Sequence, residues 1–229
     1  MSRSHRRHRA RRRRGTSAAL AGTLAGVAGI AAIAIGVVAL RPDDGGRPAA
    51  ASSASPDASS LPSPGTGPVL NLTAPEGYAY GLGAVKAGTS DRPLPRSTPP
   101  PADGTYPYVD YVLTNRGSGP ALLDYPADLF VRRSLVPEDV RGRCMPQPGV
   151  PDDLCTLPAE SQVIGRIGGS RPPDQQPSGD IMMPAGASYL VRVAAQLPVG
   201  KKAGADDLRL YVWHVRFVSD RKGVEVALP

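Results

Sequence analysis

Residues 108–119 read YVDYVLTNRGSG, and this stretch decides the fold class. Val109, Tyr111 and Leu113 alternate with Tyr108, Asp110, Val112 and Thr114. That period of two belongs to a strand with one set of side chains on a core and the other on a second face. Asn115-Arg116-Gly117-Ser118-Gly119 then supplies a turn, because Asn and Gly reach backbone conformations that other residues avoid.

The pattern repeats outward from there. Tyr189, Val191, Val193, Ala195 and Leu197 alternate with Arg192 and Gln196, and Val224, Val226 and Leu228 alternate with Glu225 and Ala227. Between 208 and 218 the apolar set changes phase: Leu208, Leu210 and Val212 share one face, but Tyr211, Trp213, Val215 and Phe217 follow, with His214 and Arg216 opposite. Such a change predicts a bulge or a strand apolar on both faces. Weaker strand candidates are 69–74, 80–86, 127–133, 162–167 and 180–183. Residues 134–140 could hold one helical turn, and nothing else over 69–229 has helical periodicity. About seven to nine short strands separated by Gly, Pro, Asn and Asp turns predict an all-β sandwich. Its 160 or so residues suffice for one core. Two proline-rich segments, 91–107 and 170–179, read as exposed insertions at the sandwich ends. The first could also serve as a polyproline ligand.

The first forty residues have another chemistry. Arg3, Arg6, Arg7, Arg9, Arg11, Arg12, Arg13 and Arg14 precede a stretch, 15–40, without a charged residue. Those eight arginines account for the formal charge of +7: without them 19 basic residues face 20 acidic ones. The cluster therefore reads as a topology signal rather than a nucleic-acid surface. Residues 1–15 form a basic cytoplasmic tail and 16–40 a transmembrane helix. Twenty-five residues at ~1.5 Å each exceed the ~30 Å of hydrocarbon. Removal as a signal peptide is the alternative, with Ala49-Ala50-Ala51 as a cleavage-like site, though Arg41, Asp43, Asp44 and Arg47 intervene. Gly22 and Gly26 are spaced for close helix packing. Residues 41–68, rich in Pro, Ser, Ala and Gly, read as a disordered linker. The domain at 69–229 then lies outside the plasma membrane, where the two cysteines, Cys144 and Cys155, would pair as a disulfide.

The run YVDYVLTNRGSGPALL (108–123) followed by DLFVRR (128–133) resembles the first half of an immunoglobulin-like domain of membrane-anchored or lipoprotein-anchored bacterial surface proteins, a family of unknown function. In that family a strand of the form V-x-V-x-L-x-N leads into a small-residue turn. MMPAGASYLVRVAAQLP (182–198), DLRLYVW (207–213) and VEVAL (224–228) are similar to its turn, long strand and closing hairpin. The resemblance implies an immunoglobulin-like β-sandwich and a surface location. It brings no catalytic residue.

Candidate chemistry is sparse. His214 is the one histidine beyond the tail, and no Gly-x-Ser-x-Gly accompanies it. Asp152-Asp153 and Asp206-Asp207 lack calcium-loop spacing. Met182 and Met183, with His214 and Met145, are soft ligands suited to Cu(I), but strand neighbours point to opposite faces. Asn71-Leu72-Thr73 is a glycosylation sequon that a bacterial host would leave unused. The reading is a single-pass, membrane-anchored binding or scaffolding module of the cell envelope, with no cofactor, metal or nucleic acid. Its partners are the membrane and, through the external domain, a protein or another cell-envelope component. A small-ligand or metal-binding protein, or an extracytoplasmic enzyme, are the alternatives.

Overall fold

The computed structural model describes residues 60–213 and 222–229. The strands in chain order are β1 (Ser60–Leu61), β2 (Leu70–Thr73), β3 (Ala79–Ser90), β4 (Gly104–Asn115), β5 (Ala121–Leu122), β6 (Ala127–Arg132) and β7 (Leu154–Thr156). After them come β8 (Ala159–Ile167), β9 (Asp174–Gln175), β10 (Ile181–Met183), β11 (Ser188–Ala195), β12 (Val199–Gly200), β13 (Leu208–Val212) and β14 (Val224–Glu225). The only helical pieces among the described residues are α1 (Glu138–Arg141) and the 3-10 turns Arg133–Leu135 and Ala205–Asp207. The fold is all-β.

The strands form two principal sheets. The larger runs β1-β8-β11-β4-β3-β2, with β12 also on β4, and the smaller runs β14-β13-β6-β7. All these pairings are antiparallel except β1 with β8. A short ribbon, β5-β10-β9, adds to them. The alternation in the sequence explains the core. Leu82, Val109, Tyr111, Leu113, Val191 and Val193 from the larger sheet meet Leu129, Val131, Leu208, Leu210 and Val212 from the smaller in one buried cluster. Side chains of this size contribute about 1.5–3 kcal/mol each when buried.

Two buried polar details finish the ends of the core. Asn115, at the end of β4, is 1% exposed. Its Nδ2 donates towards the carbonyls of Gly119 (2.9 Å), Met183 (3.1 Å) and Pro184 (3.1 Å), and its Oδ1 accepts from Gly117 N–H at 2.9 Å. It thereby joins the turn after β4 to the turn after β10. The Tyr80 and Tyr189 hydroxyls donate to the carbonyls of Leu122 and Arg171, each at 2.7 Å.

Several expectations shift. The linker expected over 41–68 ends inside the sheet: Ser60–Leu61 pairs with Arg166–Ile167, and Gly67 N–H donates to Ala84 O at 2.9 Å. A low-hydrophobicity segment can join a sheet because backbone hydrogen bonds need no large side chain. Leu61, its one large aliphatic, occupies the space that a side chain on Gly165 would fill. The strand expected at 80–86 continues to Ser90, and β4 takes the last residues of the proline-rich segment 91–107. That segment is not wholly exposed, since Pro93 and Leu94 are buried. Part of 170–179 likewise enters the ribbon as β9. The basic tail, the span 16–40 and the linker up to residue 59 lie outside the described residues, and so do His214 and the second half of the expected strand 208–218. Among the described residues no helix is long and apolar enough to cross a membrane.

Candidate functional site

With Val109, Tyr111 and Leu113 turned to the core, the alternate residues Tyr108, Asp110, Val112 and Thr114 of β4 face the far side of the larger sheet. Register then assembles that outer face in rows. Lys86, Asp110, Arg192 and Gln162 line up across β3, β4, β11 and β8, as do Gly81, Thr114, Ser188 and Ile167 two rows away. A register shift between Ala84 and Lys86 makes the first row possible. One extra residue reverses the side-chain phase of β3 and brings Lys86 to the face that Gly81 and Gly83 occupy earlier in the strand.

Asp110 is the least expected member of this face. It is 1% exposed although it points away from the core. Arg192 grips it as a fork, Nε donating to Oδ1 at 2.7 Å and Nη2 to Oδ2 at 2.8 Å. Such bidentate, charge-assisted geometry is the strongest kind of side-chain hydrogen bonding. Lys86 Nζ adds a second positive charge 3.7 Å from Oδ2. The remaining Arg192 nitrogen, Nη1, donates to Pro93 O at 3.0 Å. The guanidinium also lies 4.2 Å from the Tyr108 ring centroid, and that ring covers Gly88. The Asp110 hydrogen bonds raise the Arg192 pKa above its ordinary value, against a smaller opposing effect of burial. This cluster explains why part of segment 91–107 is buried: Arg192 ties the carboxylate of β4 to the backbone at Pro93.

Two grooves flank the cluster. One, about 200 Å³, opens beside Leu94, Arg96, Tyr106, Glu160 and Gln196, where the proline-rich segment meets the ends of β8 and β11. The other, about 190 Å³, lies at the opposite end of the face over Gly81 and Gly83. The smaller sheet also carries an outer aromatic group. Phe130 and Tyr211 meet edge-on with ring centroids 5.2 Å apart, and Trp213 lies 6.0 Å from Phe130. Burial raises the Tyr211 pKa, with Glu225 adding to the effect.

The residues singled out from sequence fare unequally. Cys144 and Cys155 form a disulfide, closing the loop between β6 and β7. Gly223 N–H donates to Pro148 O within that loop at 2.7 Å. Asp207 is a structural acid: Gly204 N–H and the Arg132 guanidinium hold its pKa below the ordinary value. Asp206 offers its carbonyl to Arg209 at 2.8 Å. Asp153 lies 3.9 Å from Arg132, and Asp152 is exposed. Met183 is fully buried in the core whereas Met145 is 67% exposed, so these sulfurs do not share an environment. The eight arginines of the tail, Gly22, Gly26 and His214 fall outside the described residues. Sequence reading passed over Asp110, Arg192 and Lys86. A signal was present, a lone acid and a lone base each at the middle of a strongly alternating strand. Only register makes them partners.

The described residues are thus all-β, and the outer face of their larger sheet carries the Asp110–Arg192 cluster and two grooves. No family model matches the chain, and no curated protein or solved structure matches it either.

Proposed function

We propose that this protein is a membrane-anchored, extracytoplasmic binding module of the cell envelope, and that its folded part is an immunoglobulin-like β-sandwich of the bacterial surface-protein kind. Strand order supports the fold. From β4 the chain crosses to β6 and β7 in the smaller sheet, returns to β8 and β11, and crosses again to β13 and β14. Within the sheets β4 neighbours β11, β11 neighbours β8, β6 neighbours β13 and β13 neighbours β14. This interleaving is that of strands B to G in immunoglobulin domains, with β3 in the place of strand A. The disulfide departs from that plan, because it closes the β6–β7 connection instead of joining the sheets.

The observation that carries the location is the arginine block set directly against the uncharged span 15–40. The disulfide agrees with it, since such bonds persist outside the reducing cytosol. The binding role follows from the outer face, where Asp110 and Arg192 fix the proline-rich segment beside one groove and a glycine floor opens another. The test is topological. The full-length chain carrying a C-terminal epitope is expressed in bacterial cells, and intact cells are treated with protease and with a membrane-impermeant thiol reagent. Loss of the epitope, with labelling only after reduction, is expected. A protected epitope with freely reacting thiols refutes the location, and N-terminal sequencing distinguishes an anchored chain from a processed one.

A further inference from the structure

The groove over Gly81 and Gly83 has a composition that selects its ligand. Its floor lacks side chains on β3, where both glycines face outward. Thr66, on the chain segment that forms one wall, lies 3.0 Å from the point where a Gly83 Cβ would stand. Across the floor, the Thr114 and Ser188 hydroxyls share one hydrogen bond of 2.9 Å. Two O–H groups in one shared bond leave one donor to spare. Arg116 stands at the rim, its backbone N–H held by Ala79 O at 2.8 Å and its side chain exposed. The Arg116 Nε is 2.8 Å from the point a Gly81 Cβ would occupy, so the guanidinium rests on the glycine floor. No acidic residue lines the groove, and Arg116 has no carboxylate partner among the described residues.

We propose that this groove binds the carboxylate end of a peptide with small terminal side chains. A single guanidinium with a spare hydroxyl donor matches one negative charge and the fork of a carboxylate. At about 190 Å³ the groove is smaller than the ~300–1,000 Å³ typical of sites that enclose a whole small molecule. A chain end fits where an entire metabolite does not. The space directly above each glycine is taken, by Arg116 over Gly81 and by Thr66 over Gly83, so only small side chains fit beside the carboxylate. The inference names a ligand class for the outer face in the binding role above, and rests on that role.

The test uses the full-length chain in mild detergent, labelled with ¹⁵N at glycine, and titrated with N-acetyl-Ala-Ala. The Gly81 and Gly83 amide signals shift saturably, with a dissociation constant on the order of 1 mM or tighter. The carboxamide-capped peptide binds about tenfold more weakly or worse, and added salt weakens the free acid. Arg116→Ala removes the shifts while the other glycine signals stay in place, which shows that the fold persists. Peptides ending in L-Ala-L-Ala or D-Ala-D-Ala separate a ribosomal chain end from a wall peptide as the natural source. The proposal is overturned if the two glycines do not respond at about 10 mM peptide, if the capped peptide binds equally, if Arg116→Ala changes nothing, or if inorganic phosphate displaces the peptide as readily as its own acid. Because the assay uses purified chain, its failure leaves the envelope location standing, and a cytosolic location leaves the binding result standing.

Discussion

Replacing Arg192 by Met should strip Asp110 of its fork while keeping a long apolar stem over Tyr108. Asp110 is 1% exposed, so its charge has little water to fall back on. Removing one partner of a buried ion pair costs about 3–5 kcal/mol. Lys86 remains 3.7 Å away but is 57% exposed, and it offsets only part of that loss. The Arg192 hydrogen bond to Pro93 O and the cation–π attraction to Tyr108 disappear as well, adding about 1–3 kcal/mol together before relaxation. A net loss of about 3–5 kcal/mol is expected, or roughly 6–20 °C in midpoint for a domain of this size. Urea unfolding of the full-length chain, followed through Trp213, the only tryptophan, measures it. The partner experiment is Asp110→Leu combined with Arg192→Met, which removes both charges. Apolar replacement of a whole pair is often close to neutral, so the double variant should recover most of the loss, with a coupling of about 2 kcal/mol or more. Arg192→Met should also free the segment at Pro93 and speed tryptic cleavage after Arg96. A loss under about 0.5 kcal/mol, the range of ordinary surface changes, or a double variant as unstable as the summed singles, refutes the account of a buried, mutually dependent pair.

Other outcomes follow from the same structure. Paired Cys144→Ser and Cys155→Ser should lower stability by about 3 kcal/mol, the entropy of a ring of roughly 12 residues, read as a matching fall in unfolding midpoint. Asn115→Ala leaves the carbonyls of Gly119, Met183 and Pro184 without their amide donor and should cost about 2–3 kcal/mol in the same assay. Burial pushes the Tyr80 and Tyr189 hydroxyls up from 10.0 to about 12, so the folded state holds these protons after the unfolded chain has released them. Their contribution, on the order of 2 kcal/mol each, is present below pH 10 and is lost as pH rises towards 12. Tyr80→Phe should flatten part of that alkaline decline in a pH series of urea midpoints.

Much of the fold was legible because strand alternation is local. Val109, Tyr111 and Leu113 announce their shared face within seven residues, and so do Val191 and Val193, whatever the rest of the chain does. The cysteine pair was legible too, since a chain with two cysteines has one internal pairing to make. The ends of elements were harder. The extra residue near Val85 that re-phases β3 carries no Gly or Pro mark, and Ser60–Leu61 joins β8 through backbone groups that every residue possesses. The site was hardest of all. Asp110 and Arg192 are 82 residues apart, Lys86 belongs to a third strand, and Pro93 sits in a segment whose composition suggested an exposed insertion.

By itself, then, the order of residues determined the β class, the faces of the long strands, the pairing of Cys144 with Cys155, and the sharp change of chemistry at residue 15. Tertiary structure alone decided that an acid and a base from distant strands share one row, that the proline-rich segment is tied down through Pro93, and that Arg116 lies over Gly81 and Thr66 over Gly83. Alternation depends on neighbours along the chain, whereas a row across a sheet depends on register. Register is settled only when every strand has placed its apolar face against the same core.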